Sequence, residues 1–74
     1  MPKDNALKRF GKNIRDRREA LGLSQEALAE KADLDRTYIG GVERGERNAT
    51  LQTTLRLAKA LGVTVADLCQ GIDR

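Results

Sequence analysis

The sequence predicts an all-α fold, a compact bundle of five short helices. Three observations carry that expectation. Apolar residues recur at three- and four-residue spacing, with no alternating β-branched run to compete. A Ser, Thr, Asn or Asp stands before each such stretch, where its side chain can cap free backbone N–H groups. Glycines then stand where four of the stretches end, as helix stop signals.

In chain order, Asn5 caps a first helix running to Leu21, with Leu7, Phe10, Ile14 and Leu21 on one stripe and Gly22 ending it. Ser24 caps a second, Gln25 to Ala32, turning Leu28, Ala29 and Ala32 inward. Asp35 caps a third, Arg36 to Arg44, closed by Gly45. Thr50 caps a fourth, Leu51 to Leu61, with Leu51, Leu55, Ala58 and Leu61 inward and Gly62 after it. Thr64 caps a short fifth from Val65 to about Gln70, before Gly71. Pro2 falls in a short flexible tail over residues 1–5, and residues 1–74 read as one small domain.

Composition removes several classes of function. No apolar run approaches the roughly 18 residues that cross a bilayer, and no cleavable leader opens the chain, so a cytoplasmic protein is expected. Cys69 is the single cysteine and histidine is absent, which argues against a metal site, a disulfide framework or a Cys–His nucleophile. The acidic residues between Ser24 and Asp35 have the spacing of a helix surface with its caps, not of a calcium loop. A domain this small has little room for a closed pocket, so neither an enzyme, nor a cofactor, nor a small-molecule ligand is expected. Formal charge is +3 and unevenly placed: Met1 to Leu23 holds seven basic and three acidic residues, Ser24 to Asp35 one basic and four acidic. A basic first helix suits a polyanion or is merely a solvated face; charge alone does not choose.

The link between helices two and three is more telling. Only Asp33 and Leu34 precede the cap Asp35, and so short a link makes the helices cross steeply, as in a helix-turn-helix. Asp33 tolerates the left-handed backbone such a corner needs, and Ala29 is small enough for the close contact. Leu28, Ala32, Leu34, Ile39 and Val42 then form one apolar seam.

With LGLSQEALAEKA, LDRTYIGGVERGER and LAKALGVTVADL in this order and spacing, the chain resembles the phage-repressor-like (Cro/CI, Xre-type) helix-turn-helix family from about Phe10 to Gly71. The stretch DRTYIGGVERGERN is most similar to restriction–modification controller proteins, small dimeric regulators of their own operon. The resemblance implies a lambda-repressor-like DNA-binding domain. Asp33 departs from it, since the family usually has glycine there.

Gly40 and Gly41 stand in the middle of helix three, where each costs about 1 kcal/mol relative to alanine. With Ile39 set inward, both fall outside the buried stripe and leave a bare outward strip flanked by Arg36, Thr37 and Arg44. Such a strip lets the backbone approach base pairs in a groove about 12 Å wide. Arg36 is the expected base reader through guanine O6 and N7, and Thr37 can offer its hydroxyl or methyl. Gln25, opening helix two, suits a phosphate, as the resemblance also implies. Tyr38 either reaches phosphate or packs on helix two, and Arg44 faces outward near the helix end. The resemblance makes Arg47 a second reader and Asn48 a backbone contact; Gly41 completes the expected base-facing set.

Arg18 and Glu43 both fall on inward stripes. An unpaired buried charge is very costly, so the two are expected to pair and hold helix one to helix three, as the matching residues do in the resembled repressors. A single unit reads few base pairs, and a symmetric dimer solves this by placing two reading helices about 34 Å apart on a near-palindrome. Val63, Val65, Leu68, Cys69 and Ile72 exceed what a short last helix must bury and are the expected dimer interface. Cys69 reads there as a small hydrophobe. The expected function is a sequence-specific, homodimeric transcription regulator, with RNA polymerase a candidate partner through the acidic helix two. An antitoxin that represses its own promoter and a protein-binding adaptor are the competing readings.

Overall fold

A computed structural model describes residues 4–73, and among them finds five helices and no strand. These are α1 (Asp4–Ala20), α2 (Gln25–Ala32), α3 (Arg36–Glu43), α4 (Leu51–Leu61) and α5 (Val65–Leu68). Ser24, Asp35, Thr50 and Thr64 each stand at an N-cap with a side-chain oxygen accepting an N–H of the first turn, so four starts are set locally. Thr64 and Asp67 form a reciprocal capping box. The Thr64 backbone N–H, and after it the Thr64 hydroxyl, hold the Asp67 carboxyl below the usual carboxylate range.

The corner between α2 and α3 is made as its length requires. Asp33 takes the left-handed conformation (φ 58°, ψ 48°), and the Leu34 N–H donates to the Ala29 carbonyl at 2.8 Å. That turn lays α3 against α2 on one side while α1 covers the other. One cluster then joins all five helices: Phe10 and Ile14 of α1, Leu28, Ala29 and Ala32 of α2, Ile39 and Val42 of α3, Leu57, Ala58 and Leu61 of α4, and Leu68 of α5.

Two α1 residues for which the sequence gives no role set how closely the helices pack. Gly11, on the stripe between Leu7 and Ile14, lies against the end of α3: a methyl group there would collide with the Val42 carbonyl oxygen and stand 2.6 Å from that of Glu43. Asn13 donates its side-chain amide to the Leu68 and Gln70 carbonyls at 2.8 and 2.9 Å, closing the end of α5 onto α1.

Several sequence expectations are corrected. The first helix begins at Asp4, so Asn5 lies inside it rather than capping it, and residues 4–5 are not tail; Pro2 lies outside the described residues. α1 stops at Ala20, and Leu21, carried into the turn before Gly22, is exposed; the next inward place on the stripe belongs to Arg18. α3 ends at Glu43, with Arg44 as its C-cap, and α5 ends at Leu68, short of Gln70. In α4 the inward face is Thr54, Leu57, Ala58 and Leu61, while Leu51 and Leu55 are 70% and 53% exposed. Both sets obey helical spacing; the placement of α2 and α5 against α4 selects one.

Gly11→Ala is expected to lower stability by about 1–3 kcal/mol through overpacking against backbone, despite alanine's better helix propensity; a urea midpoint equal to wild type contradicts this. The depressed Asp67 gives stability that is full above the ordinary carboxylate pKa and is lost as pH falls through its lowered one. Denaturation midpoints should therefore drop on acidification below about pH 4, and Asp67→Asn, which cannot titrate, should flatten that drop.

Candidate nucleic-acid interface

The site is built on α3 and on what holds it. Ile39 and Val42 are inaccessible and anchor one side; Arg36 and Thr37 are exposed at the opening turn, where Asp35 accepts the Thr37 N–H at 3.0 Å. The far end of α3 is fixed by Glu43. Arg18 Nε meets Glu43 Oε2 at 2.7 Å and a terminal nitrogen of Arg18 meets Oε1 at 3.1 Å, a bidentate pair. A further Arg18 nitrogen donates to the Leu23 carbonyl at 2.8 Å, and Gln25 Nε2 donates to Glu43 Oε1 at 3.0 Å. The side chains of Arg18 and Glu43 keep only 11% and 4% of their accessible surface. The hydrogen bond from Arg18 to Glu43 raises the guanidinium pKa against the opposing effect of burial, so Arg18 stays charged at any ordinary pH. One carboxylate thus ties α3 to α1 and to the first residue of α2.

This placement engages the Gln25 amide nitrogen with Glu43, at the residue where the sequence suggests a phosphate contact. It corrects the reading of the bare strip. Gly40 and Gly41 are buried, because three side chains of this chain lie across them. A methyl at Gly40 would stand 3.1 Å from an Arg44 terminal nitrogen and 3.7 Å from Gln25 Oε1; one at Gly41 would stand 2.7 Å from Arg47 Cγ. Arg44 in turn meets Glu46 at 3.1 Å, an exposed pair of small energetic weight. The Arg47 guanidinium carbon lies 6.0 Å from the centre of the half-buried Tyr38 ring, which packs against the core. Gln25, Tyr38, Arg44 and Arg47 are thereby gathered on α3, with Arg36 and Thr37 at its tip. Asn48 is exposed and sits apart, lining a groove of about 240 Å³ with Leu7, Phe10, Thr54 and Ile72.

The expected dimer residues also need revision. Leu68 is fully buried in the core of its own chain and offers no surface to a partner. Val63, Val65, Cys69 and Ile72 are partly buried against that core. Leu51 and Leu55, one turn apart on α4, are the large apolar side chains left in water there. Among the described residues no helix is long and apolar enough to cross a membrane, and no cluster of His, Cys, Asp or Glu could hold a metal ion.

Comparison with known proteins agrees with this fold. The helix-turn-helix family model matches residues 14–68. The chain is 56% identical over 59 residues to control protein C.SmaI of Serratia marcescens, covering 80% of this chain and 70% of that one. It is 47% identical over 60 residues to control protein C.BamHI of Bacillus amyloliquefaciens, covering 80% and 74%. The crystal structure of the restriction–modification controller protein C.AhdI from Aeromonas hydrophila superposes with a TM-score of 0.82 at 52% identity, covering 84% of this chain and 94% of that one.

Removing one partner from the Glu43 node leaves a mostly buried charge uncompensated. Arg18→Ala should lower stability by about 3–5 kcal/mol, a large part of what a domain this size has. Thermal unfolding measures it, and an unchanged melting temperature contradicts the role given to the pair.

Proposed function

Because this chain belongs to the helix-turn-helix family, in its branch of restriction–modification control proteins, we propose that it is a sequence-specific DNA-binding transcription regulator of its own operon. It acts by binding, not by catalysis, as a homodimer on a near-palindromic operator in the cytoplasm. The observation that carries this reading is the outward side of α3, where Arg36 and Thr37 on the helix, Arg44 at its cap and Arg47 just beyond it are exposed, the helix being held by the Glu43 node.

An α-helix of about 10–12 Å diameter fits the major groove end-on or along its length. Arg36 at the tip of α3 is placed to fork onto guanine O6 and N7, and Thr37 beside it to meet a neighbouring base. Arg47, beyond the end of α3, reads a second position. Gln25 meets phosphate through the backbone N–H groups that open α2, its amide being held by Glu43. Tyr38, Arg44 and Asn48 supply further backbone contacts. The dimer interface is headed by Leu51 and Leu55, joined by the exposed parts of Val63, Val65, Cys69 and Ile72 on the C-terminal segment packed against α4. Glu26 and Glu30, exposed one turn apart on α2, are the surface offered to RNA polymerase.

Binding to a duplex from upstream of the chain's own reading frame should exceed binding to random DNA and weaken steeply with salt, because phosphate contacts release counterions. Arg36→Ala should cost about 1–3 kcal/mol and relax preference at one base of each half-site; equal affinity for both duplexes at every salt concentration overturns the reading. By sedimentation the chain should be dimeric at tens of micromolar. Joint Leu51→Glu and Leu55→Glu substitution should weaken the dimer about a hundredfold or more, whereas an unchanged association constant places the interface elsewhere.

A further inference from the structure

We propose that Gly41 is the seat of Arg47: a positioning residue that fixes the second DNA-reading arginine against α3, rather than a gap through which DNA approaches the helix. The inference rests on the DNA-binding reading above and concerns how its surface is organised. Arg47 comes from beyond the stop at Gly45, where the Glu46 N–H donates to the Gly41 carbonyl at 2.9 Å. That turn carries the chain back along α3 and brings Arg47 down onto Gly41. A methyl group there would stand 2.7 Å from Cγ, 3.4 Å from Nε and 3.6 Å from Cδ of the arginine. The conflict involves the root of the side chain, not its mobile end, so Arg47 would have to lift away.

Tyr38, three residues before Gly41 and hence on the same flank of the helix, is the second wall. Its ring lies under the guanidinium, at the outer reach of a cation–π contact. Arginine loses much rotamer freedom when it is ordered against DNA. A stem already laid between Gly41 and Tyr38 has lost part of that freedom before DNA arrives. Gly40 differs in kind: a methyl there is crowded by the end of Arg44 at 3.1 Å, which can swing aside, and otherwise makes an ordinary contact with Gln25 Oε1 at 3.7 Å. The two neighbouring glycines therefore have separable roles.

The test is a double-mutant cycle on the intact chain, read by affinity for the upstream duplex and by thermal unfolding. Gly41→Ala should leave the melting temperature equal or higher while weakening binding roughly two- to tenfold, the scale of ordering one long side chain. In an Arg47→Ala background the same substitution should change affinity little, and Gly40→Ala should show no such dependence on Arg47. Tyr38 is the sole tyrosine and tryptophan is absent, so the near-ultraviolet signal of Tyr38 should also shift in Gly41→Ala. If Gly41→Ala weakens binding equally with and without Arg47, the glycine serves DNA approach and the seat is overturned. The seat is likewise overturned if Gly41→Ala leaves affinity unchanged. Failure of the wild-type chain to prefer its upstream duplex overturns the DNA-binding reading instead, a distinct result.

Discussion

One carboxylate sets the pose of α3. Glu43 ends α3, and its two oxygens receive Arg18 from α1 and Gln25 from α2. Charges so far from water are held only because every polar group around them is answered; among the described residues no buried side-chain nitrogen or oxygen lacks a partner. Hydrophobic contacts of Ile39 and Val42 press α3 onto the core, but that attraction is non-directional. A bidentate pair has direction, and direction fixes rotation about the helix axis. That is the property a groove-reading element requires.

The neighbouring features serve the same end. Gly11 lets α1 approach the end of α3 closely enough for Arg18 to meet Glu43, and Asn13 fastens α5 to the same helix. Asp33 bends the chain so that α2 and α3 share a seam. The polar node at its last residue and the apolar seam along its inner side thus constrain α3 together, leaving its outward edge and opening turn to carry Arg36 and Arg44.

Much of this was legible in the residues because the causes are local. Ser24, Asp35, Thr50 and Thr64 declare helix starts through their own side chains, and Asp33 declares a corner through its tolerance of left-handed angles. Arg18 and Glu43 could be matched because two charges on apolar stripes need partners. The phase of α4 was only half legible: the 51–55–58–61 and 54–57–58–61 stripes both keep helical spacing and share Ala58 and Leu61, and only packing tells them apart. The cover over Gly40 and Gly41 was not legible, because Gln25 reaches the first from α2 and Arg47 reaches the second only after the chain has turned at Gly45. Leu68 shows the same limit, since an apolar residue near a chain end reads alike whether it faces its own core or a partner.

Under the proposed function, the outward side of α3 is the surface applied to DNA. Amide chemical-shift mapping, with the duplex upstream of the reading frame added to the labelled chain, tests it most directly. The expected result is a continuous footprint over Arg36, Thr37, Gly40 and Gly41, extending to Arg47 and to Gln25 at the start of α2. A footprint confined to the Leu51–Leu55 face or to α1, with α3 unmoved, would contradict it.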